Sequence, residues 1–500
     1  MKRTVVSLAT LVIGMCSGTA LGAKETPSSG DRPNILFIAI DDLRPELAVY
    51  GAKTNTPNLD RLAETGMRFD RAYCQQAVCG ASRLSIMGGL YPTKTGEQTF
   101  HVTGWRERHP GLLTLNQHFR ANGYQTVGLG KLYHGTSGPG VDPSNWDRWV
   151  QLSAPHYALP ANVEILNSAL AAERNGDARN PAKGPTTEMA DVSDSTYVDG
   201  MRANKAIDIL KGLADDGNRP FFFGLGLTKP HLPFVAPKKY WDLYQREDFS
   251  MPPNTSIPPG YLRRAANLGA GEMRKYSDWE GEMPTDFSDA MNRRLLHGYA
   301  AATSYTDANV GRVLDALEEY GLAENTIVVL WGDHGWKLGD HSSWCKHTNF
   351  ECDTRVPLLV RDPRIAGGKS TPRLVELIDL YPTLCDLTGI AIPDHCQGRS
   401  FRKLLSDPEF AHRHDAYSSY PAGNFVGHSL RFSNYRYTEW RDKKTAAVKT
   451  RVLTDLKADP GEETNVIEDP KHAKALARAE KRLNLRIKMA VRQSRPADAK

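Results

Sequence analysis

The chain has 500 residues, a net charge of +5, and a composition that is 40% hydrophobic and 24% charged. This balance is ordinary for a globular protein and shows no strong basic or acidic excess, so nucleic acid is not an expected partner. The length exceeds that of most single domains. It favours one large domain with a smaller one appended, or two comparable domains.

The N-terminus has the layout of a secretory signal peptide. Two basic residues precede an apolar stretch from Val5 to Met15, and small residues follow as far as Ala23. Because the stretch is too short to span a bilayer stably, we expect residues 1–23 to be removed and the protein to be exported, to the periplasm or the medium. Cys16 offers a lipoprotein alternative, which the bulky residue before it disfavours. No other segment has the length and apolar character of a membrane span.

Strands and helices alternate over the first 330 residues. The apolar run Asn34–Ile40 is the first predicted strand, and its continuous hydrophobicity indicates burial on both faces. The elements predicted after it are helix 56–65, helix 113–121, strand 126–129, helix 197–213, strand 221–227, helix 293–320 and strand 326–331. This alternation predicts an α/β fold with a large, mostly parallel sheet covered by helices on both faces.

The pattern changes past about residue 405. Short strand-like pieces at 428–432, 435–440 and 450–456 precede a basic amphipathic helix at 470–491. They predict a smaller antiparallel sheet closed by a helix. The predicted organisation is therefore a signal peptide at 1–23, a main domain at 31–405 and a C-terminal subdomain at 406–495. The polar segment 155–188 is interpreted as a long surface insertion.

Polar clusters follow four of the predicted strands at the point where each strand ends. In parallel α/β sheets, ligands bind beyond these carboxyl ends. Four such clusters therefore predict one pole that carries carboxylates, lysines and histidines together. The clusters are Asp41 with Asp42, Lys131 with His134, Lys229 with His231, and Asp333 with His334.

The adjacent carboxylates Asp41 and Asp42 would point to opposite faces of a regular strand. They can serve one site if the chain leaves the strand there and a cation offsets their charge. With Asp333 as a third acid, the natural partner is a hard divalent cation, Ca²⁺ or Mg²⁺. An Asp pair standing alone would be interpreted as a helix cap or turn. Because Asp333 and a cysteine motif occur in the same chain, we instead interpret the Asp pair as part of a metal site.

The cysteine motif begins at Cys79, in the run Cys-Gly-Ala-Ser-Arg that ends at Arg83. A turn of small residues leading into a helix would put Cys79 near a helix N-terminus, where backbone N–H groups favour anions such as sulfate or phosphate. By itself, such a cysteine is a buried structural residue, a disulfide partner or a thiolate nucleophile. The local sequence does not choose among these three roles.

The same run resembles the signature of the type I sulfatases, in which the cysteine is oxidised to formylglycine. Family members usually have proline where this chain has Ala81, and the difference bears on recognition by the maturing enzyme. Further segments are similar to the iduronate-2-sulfatase branch of the family and extend the resemblance over roughly residues 32–466. They are NILFIAIDDLR at 34–44, TPNLD at 56–60, GKLYH at 130–134, KPHLPF at 229–234, DHGWKLG at 333–339, KHTNF at 346–350, DLYPTL at 379–384 and YRYT at 435–438.

The resemblance implies the alkaline-phosphatase-like sulfatase fold and a site with one Ca²⁺ ion. Residues implied as metal ligands are Asp41, Asp42, Asp333 and His334, together with formylglycine at position 79. Histidine is an unusual ligand for so hard a cation, and many sulfatases have Asn in place of His334.

The resemblance also implies a division of catalytic work. A hydroxyl of the hydrated aldehyde at position 79 attacks sulfur, His231 protonates the departing sugar oxygen, and His134 takes the proton whose removal frees sulfate. Arg83 orients residue 79. The sulfate oxygens are held by Lys131 and Lys346. For Lys229 and Trp336 two roles stay open: lining the substrate site or packing within the protein.

The implied activity is hydrolysis of a sulfate ester on a sulfated sugar. Similarity points to a 2-O-sulfated uronic acid in a glycosaminoglycan or another sulfated polysaccharide, with a formylglycine-generating or sulfatase-maturing enzyme as a further partner. One alternative is a phosphate mono- or diester hydrolase of the alkaline phosphatase superfamily, which the sulfatase-type Cys79 disfavours. The other is a non-catalytic carbohydrate-binding relic, which the retention of every matched polar residue disfavours.

Overall fold

The structure is a computed structural model, which describes residues 32–100, 102–135, 138–174 and 183–491. The predicted signal peptide at 1–23, with Cys16, lies outside these residues. No helix within the described ranges combines the length and the apolar character that crossing a membrane requires.

The described residues form a large sheet, a smaller antiparallel sheet and two short two-stranded pairs. The strands are β1 (Asn34–Ile40), β2 (Met67–Tyr73), β3 (Gln125–Gly130), β4 (Arg148–Val150), β5 (Thr187–Ala190), β6 (Phe221–Leu227), β7 (Phe234–Pro237), β8 (Thr326–Gly332), β9 (Lys337–Leu338), β10 (Trp344–Cys345), β11 (Arg355–Val356), β12 (Leu358–Arg361), β13 (Lys369–Glu376), β14 (Asp415–Ala422), β15 (Phe425–Phe432), β16 (Tyr435–Asp442) and β17 (Val448–Asp455). The helices are α1 (Pro57–Thr65), α2 (Cys79–Gly88), α3 (Pro92–Thr95), α4 (Trp105–Arg108), α5 (Leu115–Ala121), α6 (Pro160–Arg174), α7 (Val198–Asp216), α8 (Lys238–Trp241), α9 (Asp289–Glu319), α10 (Glu351–Thr354), α11 (Leu380–Thr388), α12 (Arg402–Ser406) and α13 (Ala473–Ala490).

The main sheet has the strand order β11-β2-β12-β8-β1-β6-β3-β4, and β13 pairs with β2. Its centre is parallel, from β8 through β1, β6 and β3 to β4. β12 runs antiparallel to both of its neighbours, β8 and β2. The sheet is therefore mixed, and its parallel centre is the part that the alternating pattern predicted.

Strand β1 shows why the central strands are apolar throughout. Ile35 and Phe37 belong to the core on the side of α2, α5 and α11. Leu36 and Ile38 belong to a second core on the opposite side, with α1, α7 and α9. Because successive side chains of a strand alternate between faces, a strand covered on both sides needs an apolar residue at every position. The predicted α/β architecture with helices on both faces is confirmed.

The smaller sheet is antiparallel, with the order β14-β15-β16-β17. Helix α13 covers one face, where Ala479 and Leu483 share a core with Leu430 and Tyr437. The antiparallel sheet and its closing helix are as predicted. The domain boundary between residues 405 and 406 stays a prediction.

Candidate active site

The four polar clusters predicted from the sequence meet at one edge of the main sheet. Strands β8, β1, β6 and β3 are consecutive neighbours and run parallel, so their carboxyl ends lie on the same edge. Helix α2 brings Cys79 and Arg83 to this edge, and the loop after β10 brings Lys346. The residues gathered there are Asp41, Asp42, Cys79, Arg83, Lys131, His134, Lys229, His231, Asp333, His334 and Lys346.

Asp41 and Asp42 both face this site because the chain turns sharply after β1. Asp42 has a φ of 57°, in the left-handed region, and its backbone N–H donates to Asp333 Oδ1 at 3.0 Å. The left-handed conformation is costly for a residue other than glycine, and aspartate is among those that accept it best. Both carboxylates have zero solvent exposure. The chain therefore leaves the strand after Ile40, as expected if both carboxylates serve one site.

Cys79 is the first residue of α2 and is buried. Gly80 follows it because the loop after Thr99 passes directly over this turn: a Cβ at position 80 would lie 2.6 Å from the carbonyl oxygen of Thr99. Arg83 lies one helical turn beyond Cys79 and therefore on the same face of α2. Its Nε donates to Asp333 Oδ2 at 2.8 Å, and its Nη2 donates to Asp41 Oδ1 at 3.2 Å.

Two lysines complete the charge pairing around the acids. The Nζ of Lys131 donates to Asp41, and Arg83 donates to the backbone carbonyl of Lys131. Lys346 donates to both oxygens of Asp42, at 2.7 Å and 2.9 Å. Three buried cations thus face three buried carboxylates. Ion pairs cut off from water are only weakly screened, so each group strongly affects the others.

The two adjacent aspartates differ in their pKa values. Burial opposes the ionisation of Asp41, but the charges of Lys131, His231 and Arg83 outweigh it and hold the pKa of Asp41 well below its usual value. Burial raises the pKa of Asp42 to about 7, and the neighbouring Asp41 adds to the rise although Lys346 opposes it. A further positive charge close to Asp42 would favour its ionised form.

Glu272 is a site residue that the sequence analysis missed. Its Oε1 lies 2.9 Å from His231 Nε2, and its Oε2 lies 3.1 Å from Lys346 Nζ. It precedes a single 3₁₀ turn, Met273–Lys275, in a polar stretch between β7 and α9. No strand end or motif indicates this residue in the sequence.

The two candidate catalytic histidines have lowered pKa values. Burial lowers the pKa of His231, and Lys346 lowers it further, whereas Glu272 opposes the change. Burial, with the charge of Lys131, lowers the pKa of His134 to about 4. His134 is therefore neutral near pH 7, and its buried Nδ1 has no hydrogen-bond partner among the described residues.

Cys79 lies beside His334, with 3.1 Å between Sγ and the ring Nε2. Ligand atoms of Asp41, Cys79, Asp333 and His334 all lie within 4.8 Å of one another, a spacing that one metal ion can span. Asp42 belongs to a second such group, with Asp41 and His231. Burial raises the pKa of the Cys79 thiol well above its ordinary value, and Asp41 adds to this. Reactive thiolates have lowered pKa values, so the unmodified thiol is a poor nucleophile here.

A pocket of about 600 Å³ opens onto Lys131, His134 and His231. One wall comes from the predicted insertion, whose described part contains α6 and residues 183–188. Lys229 lines the pocket but donates to the backbone carbonyls of His231 and Pro233, at 2.6 Å each, and so supports the loop. Trp336 is fully buried and has its ring 4.8 Å from Lys346 Nζ, which makes it a packing residue.

Buried acids and cations, together with Cys79 in the first turn of α2, gather at the strand ends of a sheet with a parallel centre. The fold is alkaline-phosphatase-like. The sulfatase family model matches residues 33–390. The family model for the C-terminal part of N-sulphoglucosamine sulphohydrolase matches residues 339–489. The chain belongs to the sulfatase family and is a sulfuric ester hydrolase.

One curated relative agrees with this assignment, and two solved structures share the fold. Iduronate 2-sulfatase of Mus musculus is 31% identical over 92% of this chain and 96% of its own length. A solved structure described as a complex with its substrate D-glucosamine-2-N,6-O-disulfate covers 92% of this chain and 98% of its own, with a TM-score of 0.73 and 22% identity. Phosphonate monoester hydrolase from Silicibacter pomeroyi covers 92% and 96%, with a TM-score of 0.71 and 23% identity. These two structures share the fold.

Proposed function

We propose that this protein removes sulfate from a sulfated sugar by means of a formylglycine formed at Cys79 and a Ca²⁺ ion. The observation that carries the proposal is the environment of Cys79: a helix N-terminus, a buried Arg83 one turn on, and ligand atoms of three other side chains within metal-binding distance. A sulfate ester needs fixed positive charges and a cation needs fixed negative charges, and this site holds both kinds away from water.

The donor set fits a hard cation once Cys79 is modified. Asp41, Asp42 and Asp333 offer carboxylate oxygens, which Ca²⁺ prefers. A divalent ion there would favour the ionised form of Asp42, against the burial that raises its pKa. Sulfur is a soft donor, and oxidation of Cys79 to an aldehyde replaces it with oxygen. His334 is the remaining nitrogen donor, and a bound Ca²⁺ would polarise the oxygens that contact it.

The residues of the chain then divide the work. Hydrated formylglycine at position 79 would offer a hydroxyl whose oxygen bonds to sulfur as the S–O bond to the sugar breaks, and cleavage of its C–O bond would then release sulfate and return the aldehyde. His231, held by Glu272, donates a proton to the departing sugar oxygen. His134, neutral near pH 7, accepts a proton from the second hydroxyl at position 79. Lys131 and Lys346 contribute positive charge for the sulfate oxygens, and Arg83 keeps residue 79 oriented.

We propose a 2-O-sulfated uronic acid of a glycosaminoglycan or another sulfated polysaccharide as the substrate. Similarity to iduronate 2-sulfatase over nearly the whole chain supports this choice. We also propose that the protein is exported through residues 1–23 and that a formylglycine-generating or sulfatase-maturing enzyme is its partner.

Paired assays on a sulfate ester and a phosphate ester of one sugar test the reaction class. We expect faster release of sulfate, and a lower rate after Cys79→Ala, which removes the group to be oxidised. Faster release of phosphate would favour a phosphate ester hydrolase of the same superfamily. No hydrolysis of either ester, with an intact Cys79 thiol in protein from the native host, would favour a carbohydrate-binding relic.

Metal analysis of the purified active protein tests the cofactor. We expect about one Ca²⁺ per chain, loss of sulfate release after chelation, and recovery on addition of Ca²⁺. Stoichiometric zinc with an intact thiol would contradict the proposal, because two carboxylates, a thiolate and an imidazole form a set that zinc also accepts.

A further inference from the structure

The pocket in front of the site carries an excess of positive charge. Its cationic side chains, apart from histidines, are Lys131, Lys183, Lys229 and Arg202, and Asp199 is the one carboxylate among its described lining residues. Such a pocket favours an anionic ligand beyond what one sulfate group requires.

Three of these cations already have partners. Lys131 donates to Asp41. Lys229 donates to two backbone carbonyls. Arg202 is paired with Asp199 at 2.8 Å. Each of these three side chains therefore donates hydrogen bonds within the protein.

Lys183 is different, because in the described part of the chain its ammonium group bonds neither to a carboxylate nor to a backbone carbonyl. Its Nζ lies 3.5 Å from Tyr276 Oη and 4.7 Å from the centre of the Tyr276 ring. Both oxygens of the nearby Glu272 are engaged by His231 and Lys346. Burial lowers the pKa of Lys183, and Glu272 only partly offsets this. An anion next to Lys183 would restore the charge balance.

The position of Lys183 is fixed by the backbone. Its N–H donates to the carbonyl of Lys275 at 3.0 Å, and the N–H of Ser277 donates to the carbonyl of Gly184 at 3.2 Å. Tyr276, over which the ammonium lies, is almost fully buried. Two hydrogen-bonded segments of backbone and an aromatic ring thus hold Lys183 at the pocket. Its side chain therefore loses less conformational freedom when it binds a ligand.

We propose that Lys183 forms a second anion subsite, which recognises a negatively charged group that the sulfated sugar carries in addition to the ester to be cleaved. The subsite rests on the proposed function, and it makes the preferred substrate class a doubly anionic sugar. The second charge has two chemical sources, the carboxylate of a uronic acid or a second sulfate group. Both accept charge-assisted hydrogen bonds from an ammonium.

Three substrates with the same cleavable sulfate separate these sources: a 2-O-sulfated uronic acid, its carboxyl-reduced neutral counterpart, and that counterpart with a second sulfate. For Lys183→Gln we expect KM to rise about tenfold or more on a substrate with the second anion, in line with one lost charged hydrogen bond. kcat should stay near the wild-type value, and the neutral substrate should be unaffected. Lys183→Arg should retain most of the preference.

The matched control is Lys275→Gln, which removes the same charge from an exposed side chain outside the pocket. A selective loss on the uronic acid identifies the carboxylate as the second anion, and a selective loss on the disulfated sugar identifies sulfate. Equal changes on all three substrates, or no change, would overturn the subsite. If the wild type released no sulfate from any of them, the proposed function would fail, and calorimetric binding of the three sugars would still decide on the subsite.

Discussion

Glu272 contacts both the proposed acid His231 and the proposed sulfate ligand Lys346, so its charge should affect catalysis. We consider Glu272→Gln, which keeps the shape and removes the charge. The general acid must carry a proton, so kcat/KM falls as pH rises through the pKa of His231. Glu272 raises that pKa against burial and Lys346. Its neutralisation therefore lowers the pKa, and the descending limb of the profile moves to lower pH.

The size of the shift follows from the contact. A hydrogen bond to a charged partner contributes about 1.5–3 kcal/mol, and one pKa unit corresponds to about 1.4 kcal/mol. Because glutamine can still accept a hydrogen bond at 2.9 Å, we expect the lower end, about one pH unit, with about a tenfold loss of kcat/KM on the basic side.

The assay is the pH dependence of sulfate release, with Glu282→Gln as the control for an exposed carboxylate in the same stretch. Melting temperatures of both variants check that each is folded. A Glu272→Gln profile that superimposes on the wild type would refute the reasoning.

Three further variants test the structural account. Gly130→Ala should destabilise the protein by more than about 3 kcal/mol in urea unfolding. The reason is that φ is +80° at this position and the new Cβ would lie 2.1 Å from the carbonyl oxygen of Gly226. An unchanged unfolding midpoint would contradict the close approach at this strand end. Lys346→Met should reduce kcat about a hundredfold or more, because it removes a charge from the site and leaves Asp42 buried without its partner. A kcat close to the wild-type value would show that Lys346 has no role in the mechanism. Arg486→Met should cost about 1.5–3 kcal/mol of unfolding free energy, because buried Glu376 loses the cation that α13 provides but keeps Arg413 at 3.0 Å, while kcat of the folded protein is retained. An unchanged unfolding midpoint would show that the pair of Arg486 and Glu376 does not anchor the helix.

The central strands could be predicted from the sequence because burial on both faces leaves a continuous apolar run. The predicted bounds of β1 and β6 coincide with those observed. Strand β2 was not predicted, because its sequence MRFDRAY places charged residues on a partly exposed face near the edge of the sheet. Strand β13 contains Pro372 and begins with three polar residues, of which Ser370 is exposed, and both features weaken the pattern further.

The same distinction applies to the site. Residues at strand ends, such as Asp333, are brought together by the parallel order of the strands, so their meeting could be anticipated. Glu272 and Lys183 reach the site from irregular segments, whose path depends on tertiary packing and leaves no periodic signal. The turn at Asp42 could also be predicted, because two adjacent carboxylates face one site only if the chain leaves the strand there.

The account depends most directly on the chemical state of residue 79, since Ala81 stands where proline is usual in the family. The decisive measurement is the mass of the peptide containing Cys79 from protein that actively releases sulfate, purified from its native host. We predict that the thiol is replaced by an aldehyde in the active fraction. An intact thiol in protein with full sulfatase activity would contradict the account.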